Sequence, residues 1–364
     1  MDFKDVLVAL LSLLDVASGA ILAMSFGFFL MPSALGFLVG GIGSLLTGSV
    51  TPISFQQENL VLAKNMGKDM RARITMILGA AFITGLIGVL GLPQRVVDTV
   101  GPEIFLGMLA GVGIFLAKVG FDLAFEDLII GLPCLVVALV VQLWSNDLVW
   151  AVTASVVLGI IIKFFKDRIT KAPANPVNVP QYKSYKEAFK TEFKIIKPVF
   201  NLQVLIGILA IATLTLGGNI AYTGINLSMS GTVPTYNQVT IISGLADFAS
   251  SIFGGASMEV IVSATAAAPH PIISGAILMF GAAIILLTGL VHKVAKFVPL
   301  AGMGGYLVAI GAILVLPPNA ADAFKAGNPI VVGLTLVTTA VTNPFYGLVV
   351  GVIAKVLMGW LGVL

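Results

Sequence analysis

Long apolar stretches alternate with short polar connections along almost the whole chain. A membrane-crossing helix needs about 20 apolar residues, and stretches of about that kind are predicted at 6–30, 33–50, 72–92, 102–120, 128–145, 147–165, 201–226, 238–254, 271–291, 297–317, 327–341 and 343–363. Two further apolar segments, 52–64 and 256–268, are too short to cross as plain helices. Each comes after residues that disfavour a helix, Thr51-Pro-Ile-Ser54 in the first case and Gly254-Gly-Ala-Ser257 in the second. The pattern predicts seven segments, a break, and seven more.

The two sets of seven segments repeat each other's motifs. Gly41-Ile-Gly-Ser-Leu-Leu-Thr-Gly48 precedes the first short segment, and Gly244-Leu-Ala-Asp-Phe-Ala-Ser-Ser-Ile-Phe-Gly-Gly255 precedes the second. Two segments later, the glycine-rich residues 100–113 pair with residues 298–311. Because each set has an odd number of spans, the sets are expected to be inverted repeats, 1–165 and 201–364, joined by a linker over 166–200. Inverted repeats with interrupted helices at matching positions are typical of secondary transporters.

Composition supports a polytopic membrane protein. Hydrophobic residues make up 58% of the chain and charged residues only 10%, against about 25% charged residues in soluble domains. Soluble enzymes, nucleic-acid-binding proteins and secreted disulfide scaffolds are therefore excluded. The single cysteine, Cys134, excludes an internal disulfide, and the two histidines lie far apart. We expect no metal centre and no cofactor, and the N-terminus is predicted to start a retained first helix rather than a signal peptide.

The break between the two sets is strongly basic. Residues 163–200 hold nine of the 20 basic residues and three acids. The first part, 172–180, is an extended, proline-punctuated linker. The second part places Tyr182, Tyr185, Phe189, Phe193 and Ile196 at helical spacing with lysines on the other face, which predicts a short amphipathic helix in the lipid headgroup layer. A plain solvated linker is the alternative.

The interruptions of the two short segments are the candidate binding site, because a broken helix exposes backbone N–H groups inside the membrane. In the first, Ser54 and Gln57 are spaced as a capping box, and Glu58 comes next, in the first turn. In the second, Ser257 is the expected cap and Glu259 lies in the first turn. The sequence thus predicts two half-helices that begin in the membrane interior.

Glu259 is the strongest single candidate. An ionisable residue at membrane depth costs at least about 2.5–3.5 kcal/mol at a helix centre and is a functional candidate for that reason. Its carboxyl could take a proton from one side, hydrogen-bond a solute N–H, and release the proton on the other side. The alternative is that Glu259 only satisfies a helix N-terminus. For Glu58 the alternative is a position near the surface, beside Lys64 and Lys68.

Three weaker candidates lie inside predicted spans. Asp15 and Asp247 could bind a coupling proton, although pairing between helices is the commoner role of such residues. Asn219, after two glycines, offers a donor and an acceptor to a ligand.

These residues resemble the nucleobase–cation symporter family, the uracil and xanthine permeases that include the nucleobase–ascorbate transporters. The similarity is clearest from Gly244 to Gly311, where Gly254-Gly-Ala-Ser-Met-Glu259 precedes Val298-Pro-Leu-Ala-Gly-Met-Gly-Gly305. The resemblance implies an all-α fold of 14 transmembrane segments in which the third and tenth are half strand and half helix. It also implies a core domain (spans 1–4 and 8–11) and a gate domain (spans 5–7 and 12–14). On the same basis, Glu259 matches the substrate-binding residue of span 10, and Ser257 and Met258 match neighbours whose backbone contacts the base.

The sequence departs from this family at one binding position. The family usually has a second carboxylate in span 8, whereas residues 214–220 contain none, and Asn219 is the nearest polar residue. The sulfate-permease family shares the architecture and binds anions between the same two segments. Against that alternative, an ionised Glu259 would repel an anion, and no basic residue lies at either interruption.

Charge placement conflicts with the orientation that the resemblance implies. The basic loops 64–73, 163–200 and 292–296 come after spans 3, 7 and 11, so they lie on one side of the membrane. The positive-inside rule makes that side cytoplasmic and both termini external, whereas the family has both termini inside. The charge pattern favours external termini.

The resulting hypothesis is a multi-pass cell-membrane permease for a small planar solute of the uracil, xanthine or purine class. It would work by proton or cation symport with alternating access, and an anion carrier of the sulfate type is the alternative. The expected partners are the solute, a coupling proton or cation, membrane lipid and a second copy in a homodimer, and nucleic acid is not expected. A membrane enzyme is disfavoured because neither clustered aspartates nor an HExxH motif occurs; a channel or structural role is a further alternative.

Overall fold

The computed structural model describes residues 2–170, 185–232, 235–291 and 300–361, and most of them are helical. The first half contains α1 (Phe3–Ser25), α2 (Leu30–Thr47), β1 (Ile53–Phe55), α3 (Gln57–Met66), α4 (Met70–Val89), α5 (Leu92–Val100), α6 (Pro102–Glu126), α7 (Leu128–Ser145) and α8 (Leu148–Thr170). Between the halves lies α9 (Tyr185–Glu192). The second half contains α10 (Leu202–Ser230), α11 (Tyr236–Ser251), β2 (Met258–Val260), a 3-10 turn (Ala264–Ala267), α12 (Pro271–Leu287), α13 (Leu300–Val308), α14 (Leu316–Ala326), α15 (Pro329–Val341) and α16 (Pro344–Trp360). A π-helical segment, Ala309–Val315, joins α13 to α14.

The fold is that of a multi-pass membrane protein, as predicted. Within the described ranges, seven helices are long and apolar enough to cross a membrane: α2, α4, α6, α7, α8, α10 and the continuous helix from α13 to α14. Shorter apolar helices are α12, α15 and α16. Each predicted segment coincides with a helix or with one of the two strand-containing segments. The inverted relation of the halves and the bounds 1–165, 166–200 and 201–364 stay predictions.

The two interruptions meet in a small antiparallel sheet. β1 pairs with β2 in the register Ile53↔Val260, Ser54↔Glu259 and Phe55↔Met258. The pairing continues outward, because Gln56 donates its N–H to the carbonyl of Ser257 at 3.1 Å. This two-stranded sheet brings the first and second halves of the chain into direct contact.

The two strand-containing segments differ on the C-terminal side of the strand. After β1 the chain forms a helix, α3, as predicted. After β2, residues 261–263 lead into a four-residue 3-10 turn instead of the predicted half-helix. Strand pairing takes up residues 258–260, and Pro269 ends the turn at Ala267, since a residue before proline disfavours the helical region and Ala268 is extended at φ −71° and ψ 158°.

The helices pack in the two groups that a core and a gate domain require. In one group, α11 packs on α2 and α4, α12 on α1 and α2, and α10 on α4. In the other, α6 packs on α13, α14 and α15, α7 on α8, and α15 on α16. Helix α10 lies at the boundary, because it also contacts α6 and α16 of the second group.

Part of the predicted amphipathic segment forms α9. Ala188 and Glu192 are buried on one side, and Lys186 and Lys190 are exposed. The proline-punctuated stretch, Tyr182 and the basic loop 292–296 lie outside the described residues.

Candidate functional site

The polar residues of the first interruption are arranged by the strand pairing rather than by a capping box. Ser54 lies inside β1, opposite Glu259, and α3 begins at Gln57 after an N-cap, Gln56, whose side chain makes no capping hydrogen bond. The predicted capping box of Ser54 and Gln57 is therefore wrong. The physical reason is that the backbone pairing of residues 53–56 with β2 holds them extended, so the helix begins at Gln57, two residues later than a cap at Ser54 would place it.

Glu259 lies in the middle of β2 and is 1% exposed. The prediction that it occupies the first turn of a helix capped by Ser257 is wrong for the same reason: residues 258–260 pair as a strand, and the 3-10 turn after them is capped by Ser263. Two neutral donors, the Asn59 amide Nδ2 and the Thr215 hydroxyl, donate to Glu259 Oε1. The carboxyl is thus held from two elements, α3 and α10.

A second acid accepts hydrogen bonds from the residues at the start of β2. Asp247 in α11 is buried; its Oδ1 accepts the N–H of Met258 at 2.9 Å and its Oδ2 accepts the Ser257 hydroxyl at 3.3 Å. The Ser257 hydroxyl in turn accepts from Asn59 Nδ2 at 3.4 Å. The Met258 N–H is thus engaged with Asp247, and the backbone contact of Ser257 and Met258 with a solute, which the resemblance implied, stays a prediction.

A polar stripe on α10 faces β2 and the residues after it. Thr215 contacts Glu259, and Asn226 donates to the carbonyl of Ile261 at 2.7 Å and accepts the N–H of Ser263 at 3.1 Å. Asn219 and Thr223 lie between these two anchors at four-residue spacing, which places them on the same helix face. They are 1% and 0% exposed.

The middle of this stripe, and Asn59 of α3 beside it, carry polar groups without hydrogen-bond partners. Within the described part of the chain, both amide atoms of Asn219, the hydroxyl of Thr223 and the amide oxygen of Asn59 have none. A buried polar group left unpaired costs about 1–3 kcal/mol, and such groups in a native protein call for a bound partner or a functional reason. The arrangement can therefore offer donors and acceptors to a small polar solute.

The boundary position of α10 places this stripe between the two helix groups. An added Cβ at Gly217 would come within 2.5 Å of the Phe345 nitrogen of α16, and one at Gly224 within 3.0 Å of the Phe105 ring of α6. The close approach of α10 to both helices depends on these glycines. The stripe consequently lies on the helix at which the two groups meet.

The remaining predicted residues are less directly connected to this cluster. Gln57 is exposed at the start of α3. The side chains of Glu58 and Asp15 lie outside the described residues. The structure thus brings together Ser54, Ser257, Met258, Glu259 and Asp247, with Asn219 one helical turn from Thr215, and their roles in binding and proton coupling stay predictions. No group of three or more potential metal ligands occurs within the described ranges.

Asn59, Thr215 and Thr223 belong to this cluster but were not predicted. Asn59 is the residue after Glu58, in the same helical turn. Thr215, Asn219 and Thr223 recur every four residues in the predominantly apolar helix α10. That periodicity is a signal from which the stripe could have been found.

Comparison with known proteins identifies the fold. No protein-family profile matches the sequence, and no curated protein matches it. The structure is similar to the transmembrane domain of a cyanobacterium bicarbonate transporter, BicA, with a TM-score of 0.61 at 13% identity over 96% of this chain and 98% of that chain. It is also similar to the murine Slc26a9 anion transporter in the inward-facing state, with a TM-score of 0.58 at 14% identity over 99% of this chain and 68% of that one. A further structure of SLC26A9 gives 0.51 at 14% identity over 97% and 64%.

These similarities show the transmembrane architecture of the anion transporters. They do not support the nucleobase permease family, although the architecture that the sequence resemblance implied is the one observed. At 13–14% identity they show the fold alone.

Proposed function

We propose that the protein is a secondary transporter that moves a small solute by alternating access, with the solute bound at the junction of β1, β2 and α10. The observation that supports this most strongly is the group of unpaired buried polar atoms on Asn219, Thr223 and Asn59. They lie beside the paired interruptions and at the boundary between two helix groups. A relative movement of the groups would open this junction to one side and then to the other.

A small anion is the favoured substrate class. The proteins of similar fold include a bicarbonate transporter and an anion transporter. Amide and hydroxyl donors at Asn219 and Thr223 suit an oxyanion such as bicarbonate or sulfate. The neutral donors Asn59 and Thr215 leave the charge of an ionised Glu259 in place, so an anion would bind beside this carboxyl in its protonated form.

A specific observation keeps a nucleobase-like solute as the second candidate. The Asn59 side chain donates toward Glu259, so its Oδ1 points elsewhere and lacks a donor. Rotating the amide would bring that oxygen against the carboxylate, which is unfavourable. A solute with an N–H or O–H donor would satisfy this oxygen, and both a nucleobase and bicarbonate carry one.

Proton or cation coupling through Glu259, with Asp247 and Asp15 as further candidates, is part of the proposal. A proton on Glu259 would remove a negative charge beside a bound anion, so proton binding would favour anion binding. This relation is reciprocal, since each ligand changes the affinity of the other by the same factor.

Uptake into proteoliposomes tests the proposal. Purified protein is reconstituted with an inward proton gradient, and uptake of labelled bicarbonate, sulfate, uracil and xanthine is measured beside protein-free vesicles. We expect saturable, gradient-dependent uptake of bicarbonate or sulfate. Uptake of uracil or xanthine alone would support the second candidate, and non-saturable flux that ignores the gradient would contradict a transporter and favour a channel.

A further inference from the structure

Side-chain and backbone contacts hold the end of the linker, residues 192–199, against α2 and α4. Glu192, the last residue of α9, accepts the N–H of Met31 in the first turn of α2 at 2.9 Å. Arg71, in the first turn of α4, donates to the carbonyl of Lys197 at 3.1 Å, and Thr75 accepts the N–H of Val199 at 3.0 Å. The linker therefore lies across the end of the bundle where α2, α4 and α10 begin.

The same linker contacts the segment that leads into β2. Ile196 donates its N–H to the carbonyl of Ile252 at 3.3 Å, and the rings of Phe193 and Phe253 lie 5.6 Å apart. Gly254, next in the chain, has φ +86° and accepts the N–H of Phe29 at 2.9 Å. An added Cβ at Gly254 would come within 2.9 Å of the Phe29 ring. A shift of the linker would therefore disturb the turn that positions β2 and Glu259.

The outer face of this end of the bundle is strongly positive. We call the exposed cations there the linker surface; its members are Lys68, Arg71, Lys186, Lys190, Lys194 and Lys197. Among the described residues of 67–73 and 186–200, the exposed acids are Asp69 and Glu187. Ile195 and Phe200 are 70% and 77% exposed between the cations and the start of α10. Cations interleaved with exposed apolar side chains suit a membrane interface with negative headgroups.

We propose that the linker surface binds anionic phospholipid headgroups and that this binding reduces local opening of the turn at 252–256. The effect on transport rests on the proposed function, whereas the lipid binding does not. Charge and position identify the occupant: six exposed cations lie at the end of the bundle where the spans begin, beside apolar side chains suited to acyl chains.

Lipid binding is tested with a variant and a control that remove equal charge. The linker variant carries Lys186→Gln, Lys190→Gln and Lys194→Gln. The control carries Arg95→Gln, Lys118→Gln and Lys325→Gln, three exposed cations elsewhere on the chain, two of them in exposed ion pairs of small energetic value. Retention of phosphatidylglycerol by the full chain is titrated by native mass spectrometry, and hydrogen exchange of residues 252–260 is measured with and without the lipid.

Each basic residue near an anionic surface contributes about 1 kcal/mol, or about fivefold in affinity. We expect the linker variant to bind phosphatidylglycerol on the order of 100-fold more weakly at low salt, with the control within about twofold of wild type. The lipid should also slow exchange of 252–260 in the wild type and control only. Equal loss of binding in both variants, or displacement of the lipid by excess inorganic phosphate, would overturn the proposal.

Transport in phosphatidylglycerol-containing and pure phosphatidylcholine vesicles completes the test. We expect the wild type to be several-fold faster with phosphatidylglycerol and the linker variant to be equally slow in both. If no solute is transported in either vesicle, the proposed function fails while the binding result still decides the lipid site. If transport is present but equal in both vesicles for the wild type, the coupling to 252–256 is overturned.

Discussion

Replacing Asn219 by leucine tests whether the Asn219 amide binds the solute or serves a structural role. In the absence of solute, the amide is buried and lacks partners within the described residues. Leucine has a similar shape and no polar atoms, so removing the unpaired groups should stabilise the ligand-free protein by about 1–3 kcal/mol. The melting temperature of the detergent-solubilised protein should rise by a few degrees. The same change leaves a polar group of the solute unpaired, so solute affinity should fall about 5- to 150-fold.

Asn226→Leu is the matched control on the same helix. Its amide is fully engaged, donating to Ile261 at 2.7 Å and accepting from Ser263 at 3.1 Å. Breaking both bonds leaves the buried Ser263 N–H and the partly buried Ile261 carbonyl without these partners, and should lower stability by about 2–4 kcal/mol. Thermal unfolding with and without the transported solute measures both effects. A loss of stability in Asn219→Leu equal to that of Asn226→Leu would refute the reasoning, because it would show that the Asn219 amide has partners in the protein.

Three further predictions concern packing, the contact between the helix groups and orientation. Gly36→Ala would place a Cβ 2.7 Å from Met258 Cγ and should cost about 1–3 kcal/mol in thermal unfolding, whereas Gly85→Ala, with open space around it, should be neutral or stabilising. Lys4 in α1 and Asp147 before α8 form an ion pair at 2.5 Å. A double-mutant cycle of Lys4→Gln and Asp147→Asn should give a coupling energy of about 0.5–1 kcal/mol in the free energy of unfolding. Strictly additive effects of the two substitutions would contradict this prediction. The chain's one cysteine is buried, so labelling of a Lys190→Cys variant should report on residue 190. The charge pattern places the linker on the cytoplasmic side, so a membrane-impermeant maleimide should react only after the cells are permeabilised. Labelling of intact cells would show that the linker faces outward.

The membrane fold could be predicted because each span is encoded locally. Apolar length and the positions of glycine and proline located all fourteen segments, including the two short ones. The pattern around Ser54 and Ser257 also located both interruptions correctly. It failed to show that residues 53–56 and 257–260 would pair with each other, since that pairing joins positions about 200 residues apart in the chain.

That missed pairing explains the errors at the site. A serine with Gln three residues later, or Glu two residues later, acts as a helix cap only when the residues after it are helical, and here they belong to a strand. The partners of the Glu259 carboxyl come from two other elements, α3 and α10, so Asn59 and Thr215 could not be assigned to it from local spacing. Glu259 itself was found because an isolated acid in an apolar segment is conspicuous without any knowledge of its neighbours.

The substrate class is the least determined by the sequence. A span-8 stretch without a carboxylate already departed from the nucleobase permeases, and the proteins of similar fold include anion transporters. The unpaired oxygen of Asn59 adds a preference to the proposed substrate class, because a solute with a hydrogen-bond donor would satisfy it. Among the proposed anions this favours bicarbonate, which carries an O–H, over sulfate, chloride or nitrate.

Binding of the solute and proton beside Glu259 is tested most directly by gradient-driven uptake in the Glu259→Gln variant. Glutamine keeps an oxygen that can accept from Asn59 and Thr215, so the variant should fold and melt within a few degrees of wild type. We predict that proteoliposomes containing it lose accumulation driven by a proton gradient of whichever solute the wild type transports. Full gradient-driven accumulation by the folded variant would contradict the assignment of Glu259 and place the coupling site elsewhere.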